Sequence, residues 1–239
     1  MTAKKHYAIA NWKSYKRFED AKQWLDEFAR IYSPVEGLEV IIAPTFLALE
    51  KLAEYIRKLD LQNVALAAQD VSPFPKGSYT GAIAADLLRD MAEYVIVGHS
   101  ERKRYFHETN LDIGNKVLET VDAGLVPIVC IDKPFAMSQL TVLNDIDTDD
   151  VILAYGPADA LASRIPESPE KVGEAVEFIS QVHSKWPIVY GGALQPENAA
   201  IYSNIKGVSG LFCGSASLEI ANFTAIIKRV ADSLLSDNS

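Results

Sequence analysis

Lys13, His99 and Glu101 are a cation, an imidazole and a carboxylate, and each stands just past a short apolar run. Lys13 ends the triplet Asn11-Trp12-Lys13 after residues 6–10, and His99 and Glu101 sit in Gly98-His99-Ser100-Glu101-Arg102 after residues 94–97. If those runs are parallel strands of an α/β barrel, the three side chains face one mouth, because such barrels carry their chemistry just beyond the C-terminal strand ends. A convergent cation and histidine suit charge stabilisation and the binding of a small anion. Taken singly, each residue has a plainer reading: a surface lysine, a satisfied core histidine, a carboxylate at a helix start.

The elements needed to position them are legible as an alternation. Eight short β-branched or apolar runs, at residues 6–10, 38–43, 64–68, 94–97, 126–130, 151–155, 187–190 and 210–212, are nearly continuous in apolar residues. Strands covered on both faces read this way. Between them lie segments of helical period at 18–31, 47–59, 82–91, 111–121, 169–182, 196–202 and 218–234. In the first, Ala21, Trp24, Leu25 and Phe28 share one face and Pro34 follows as a stop. Ser168-Pro169 places a cap residue before a first-turn proline. Only 20 residues, including Pro134 and a polar run over 144–150, separate Cys130 from Val151. The fifth helix is therefore expected to be short or missing. This pattern predicts a (β/α)8 barrel, and its 239 residues fit one domain over 1–239, with no Gly/Ser-rich linker.

An apolar fraction of 49% and a charged fraction of 23% are those of an ordinary globular chain. A net charge of -9 disfavours nucleic acid and anionic lipid as partners, although converging lysines and backbone N–H groups still suit a small anion. The N-terminal apolar stretch is too short for a signal peptide and no run suits a membrane span, so a cytoplasmic location is expected. Cys130 and Cys213 lie in strand-like runs and read as buried free thiols.

The motifs, taken in order, resemble those of the triose-phosphate isomerase family, N-W-K, G-H-S-E-R, A-Y-E-P, Y-G-G-S and G-G-A-S-L. Here they appear as Asn11-Trp12-Lys13, Gly98 to Arg102, Ala154-Tyr155-Gly156-Pro157, Tyr190-Gly191-Gly192-Ala193 and Gly214-Ser215-Ala216-Ser217-Leu218. The resemblance implies a TIM barrel that binds a small phosphorylated three-carbon sugar, interconverting dihydroxyacetone phosphate and glyceraldehyde 3-phosphate with no metal or organic cofactor. That family is a standard case of a carboxylate base paired with a neutral histidine under a closing loop. It further implies that His99 is the neutral electrophile, that Lys13 neutralises developing charge, that Asn11 contacts a substrate oxygen and that Glu101 orients Lys13.

The departures fall on the other half of the site. Gly156 stands where the family has its glutamate base, and glycine accepts no proton. Residues 158–164 replace V-W-A-I-G-T-G, which puts Ala162 at a lid glycine. Ala193 replaces a serine near the phosphate, and Ser215 beside Gly214 replaces a glycine while keeping a backbone N–H for a phosphate. Asp159 is a conceivable substitute base on the lid. The resemblance thus predicts anion binding with weak or lost turnover, against two alternatives: an isomerase using Asp159, or a barrel kept for interaction. Residues 69–81, ending Gly77-Ser78-Tyr79-Thr80-Gly81, resemble the family's intersubunit loop and predict a homodimer.

Overall fold

A computed structural model describes residues 5–144, 146 and 148–237. Asp145 and Asp147 of the polar run, and the first four residues of the N-terminal segment, lie outside the described residues. Eight parallel strands close into a barrel in sequence order. They are β1 (His6–Asn11), β2 (Leu38–Ala43), β3 (Val64–Ala68), β4 (Tyr94–Val97), β5 (Val126–Ile131), β6 (Ile152–Tyr155), β7 (Ile188–Tyr190) and β8 (Val208–Cys213).

The period-two alternation of each strand divides its side chains between two cores. Ile9, Ile41, Ala65, Ile96, Ile128 and Val189 fill the barrel interior, whereas Ala8, Val40, Val95 and Val129 meet the surrounding helices. Helix α1 (Phe18–Ile31) buries the expected face of Ala21, Trp24, Leu25 and Phe28. Helices α2 (Phe46–Leu59), α4 (Asn110–Asp122), α7 (Pro169–Val182), α8 (Pro196–Ser203) and α9 (Ile220–Asp237) continue the ring. Shorter pieces α3 (Ser100–Phe106), α5 (Ala136–Thr141) and α6 (Ala158–Ser163) follow β4, β5 and β6. Among the described residues no helix is long and apolar enough to cross a membrane.

Closure depends on one glycine. Gly210 of β8 pairs with Tyr7 of β1, at a φ of 149°, and a Cβ there would lie 2.0 Å from the Tyr7 carbonyl oxygen. Only a residue without a side chain lets the last strand approach the first so closely.

One stretch differs from its expected form. The helix expected over 82–91 is a single 3-10 turn, Ala85–Leu88, with Ala85 and Leu88 buried at i,i+3. The segment is pinned at both ends, by Ser72 N–H to the Ile83 carbonyl (2.8 Å) and Glu93 N–H to the Leu66 carbonyl (3.0 Å). Between β5 and β6 the described residues form a 3-10 turn, Lys133–Phe135, and the six-residue α5.

Candidate active site

Because all eight strands run the same way, their C-terminal ends deliver Asn11, His99, Gly156, Ala193 and Gly214 to one end of the barrel. Asn11 ends β1, and its side-chain oxygen accepts the Lys13 backbone N–H at 3.0 Å. This bond supports Lys13 at a φ of 51°, a conformation uncommon for a residue with a side chain. Gln69 donates to the carbonyls of Lys13 (2.7 Å) and Ala43 (2.9 Å), tying the ends of β1, β2 and β3 together. The Lys13 backbone is thereby fixed, and its Nζ lies 2.5 Å from Glu101 Oε1.

Gly98, at φ 71°, turns the chain out of β4, where a Cβ would come within 2.9 Å of Ile113. His99 then caps α3, with Nδ1 accepting the Glu101 backbone N–H at 3.2 Å. A ring nitrogen that accepts carries no proton, so the neutral tautomer assigned by this bond holds its proton on Nε2. Burial pushes the His99 pKa down to about 4; Lys13 adds to that effect and the Glu101 carboxylate, 3.7 Å away, opposes it. Desolvation wins because the ring is only 7% exposed, and His99 is a neutral donor at pH 7.

Lys13, His99 and Glu101 line a cavity of about 270 Å³ together with Gly156, Ala193, Gly214 and Ser215, whereas Asn11 lies outside that lining. A 3-10 turn, Ser215–Leu218, starts at this wall, and a Cβ on Gly214 would touch Lys13 Cε at 3.5 Å. Among the described residues Glu101 is the one carboxylate lining the cavity, and it is engaged by Lys13. Cys130 also lines it, but burial pushes its thiol up to about 12, which leaves no thiolate at neutral pH.

Gly156 follows β6 and donates its N–H to the Ile131 carbonyl at 3.0 Å. Its φ lies outside the left-handed region, and a Cβ would meet only the Gly191 carbonyl at 3.1 Å and Leu161 at 3.8 Å. A Cβ there requires the Gly191 carbonyl to give by a few tenths of an ångström.

The segment after Gly156 folds as α6 rather than as an irregular loop. Leu161 and the exposed Arg164, three apart, line the cavity, whereas Asp159 and Ala162, also exposed and three apart, lie outside the lining. The start of α6 is held by Asp132, whose Oδ1 accepts the Ala158 N–H at 3.3 Å. Burial raises the Asp132 carboxyl, with the Ala158 N–H and Lys103 opposing. Asp132, Leu161, Arg164 and the wall residue Phe212 escape a reading by motif. Asp132 follows a strand directly, and Arg164 occupies a glycine of the lid pattern, which are the two signals that point to them.

The arrangement can polarise a substrate oxygen through His99 Nε2–H and the Lys13 ammonium. A triosephosphate isomerase family model matches residues 6–230. The triosephosphate isomerase of Mesomycoplasma hyorhinis is 31% identical over 238 residues, covering 92% of this chain and 96% of that protein. That of Thermodesulfovibrio yellowstonii is 31% identical over 246 residues, covering 94% and 99%. That of Symbiobacterium thermophilum is 32% identical over 250 residues, covering 93% and 96%. With the barrel and the ordered motifs, these similarities establish that the chain belongs to the triosephosphate isomerase family.

Proposed function

We propose that the cavity binds a phosphorylated three-carbon aldose or ketose, of the dihydroxyacetone phosphate and glyceraldehyde 3-phosphate pair, and turns it over weakly or not at all. The observation that carries this reading is that among the described residues Glu101 is the one carboxylate lining the cavity and is paired with Lys13, while the β6 junction holds Gly156. Lys13 and His99 bind and polarise substrate oxygens, and Asn11 supports the Lys13 turn. Such stabilisation lowers a barrier only as a proton is being removed, and a positioned base typically contributes about 10²- to 10⁴-fold. The family further supports a homodimer formed through residues 69–81 as this chain's assembly. Cys130 and Cys213, both free, fit a reducing cytoplasmic setting.

The test is Gly156→Glu, with Gly156→Ala as the control for packing. Glutamate is expected to raise triose-phosphate isomerisation by at least about 10²-fold, the lower end of a general base's contribution, and alanine to leave it unchanged. Unmodified protein turning over glyceraldehyde 3-phosphate like a complete isomerase, in a preparation whose Lys13→Ala variant is inactive, would overturn the reading.

A further inference from the structure

We propose that Arg164, on the segment covering the cavity, is a phosphate-binding residue of this chain and supplies the site's uncompensated positive charge. The proposal rests on the phosphate-ester reading above and adds a residue to it. Among the described residues three charged side chains line the cavity, Lys13, Glu101 and Arg164. Lys13 and Glu101 are 2.5 Å apart and together contribute no net charge. Burial keeps His99 neutral at pH 7, so it adds no charge. What remains is the Arg164 guanidinium, which among the described residues has no ion-pair partner.

The backbone is a second, independent observation. Arg164 closes α6 in the left-handed region, at φ 59° and ψ 23°. Residues with a Cβ are disfavoured there and glycine is not. An outlier of this kind at a cavity wall directs attention to what its side chain does. Here the left-handed turn ends α6 one helical step beyond Leu161, so that both side chains line the same cavity. Guanidinium offers a planar fork of donors that matches phosphate oxygens in pairs, which a lysine does not reproduce. Two features that weaken other parts of the cradle, Ala193 in place of a serine and Ala162 turned away from the cavity, leave a role for such a group.

The same strain makes the test clean, because glycine at position 164 relaxes the backbone while removing the cation. Glycerol 3-phosphate, titrated calorimetrically at low and at physiological ionic strength, is the probe. Arg164→Gly is expected to fold with an unchanged or raised Tm and to bind at least about tenfold more weakly, as loss of a charge-assisted hydrogen bond requires, with a flatter salt dependence. Arg164→Lys should recover part of the affinity. Equal affinity of native protein and Arg164→Gly would overturn the proposal while leaving the phosphate reading intact. Failure of the native protein to bind the ester at all would overturn both.

Discussion

The backbone N–H of Glu101 donates to Nδ1 of His99 at 3.2 Å, while the Glu101 carboxylate holds Lys13. One residue thus sets both the tautomer of the imidazole and the position of the ammonium. The first turn of α3 is the scaffold for this, and its N-terminal dipole also disfavours a proton on His99.

His99 is expected to stay neutral, protonated on Nε2, from pH 8 to about 5. Its pKa falls from an ordinary 6.5 to about 4 on folding, so the unfolded chain binds the proton more readily. The corresponding stability is fully present above pH 6.5 and is lost as pH falls toward 4, a swing of order 3 kcal/mol. Nitrogen-15 NMR reads the tautomer and titration. Urea unfolding at neutral and acidic pH, against His99→Asn, reads the linkage; an identical acid loss in the variant would refute it.

A buried ion network ties that scaffold to the barrel. Lys116 Nζ contacts Asp70 Oδ1 at 2.6 Å and also Glu108, while Arg102 spans Asp70 (2.7 Å) and Glu108 (3.3 Å). The side chains of Lys116 and Glu108 are almost fully buried. Lys116→Met should cost about 3–5 kcal/mol, because it strands a buried carboxylate. Lys116→Met with Glu108→Gln should recover part of that loss. Denaturant midpoints decide the matter, and a single variant within 1 kcal/mol of native, roughly the worth of a surface pair, would show that the network is not holding α3.

Phe74 and Tyr79 stack at 4.7 Å on the loop 69–81, and both remain about half exposed. An exposed aromatic pair on a rigid loop is a suitable anchor for a partner subunit. Sedimentation at micromolar concentration should show a dimer, and Tyr79→Asp should dissociate it. A native protein sedimenting as a monomer across that range would remove the loop from the assembly.

The barrel was legible because each strand is apolar on both faces, and the observed strands fall within two residues of the apolar runs at both ends. Two helices were not. Helix α3, Ser-Glu-Arg-Lys-Arg-Tyr-Phe, buries no residue and so shows no apolar period, and α6 spans only six residues. The candidate site divides in the same way. Asn11, Lys13, His99 and Glu101 are neighbours in two short motifs, so their meeting follows from two strand ends. The roles of Arg164 and Leu161, and the outward turn of Asp159 and Ala162, depend on the helical phase of α6, which a loop reading cannot supply.

Trp12 sits between Asn11 and Lys13, fully buried, with its ring 5.0 Å from that of Trp24 at an angle of 68°. Trp24 stacks in turn on Phe28 and packs against Phe223. Two indoles held this close in a chiral, rigid setting couple their electronic transitions and give near-ultraviolet circular dichroism that disappears when side-chain packing is lost. Any displacement of the Asn11–Lys13 turn by a ligand changes the geometry of that couple. The site therefore has an intrinsic chromophore one residue from Lys13, and an occupant that moves this turn would register in near-ultraviolet circular dichroism without an added dye.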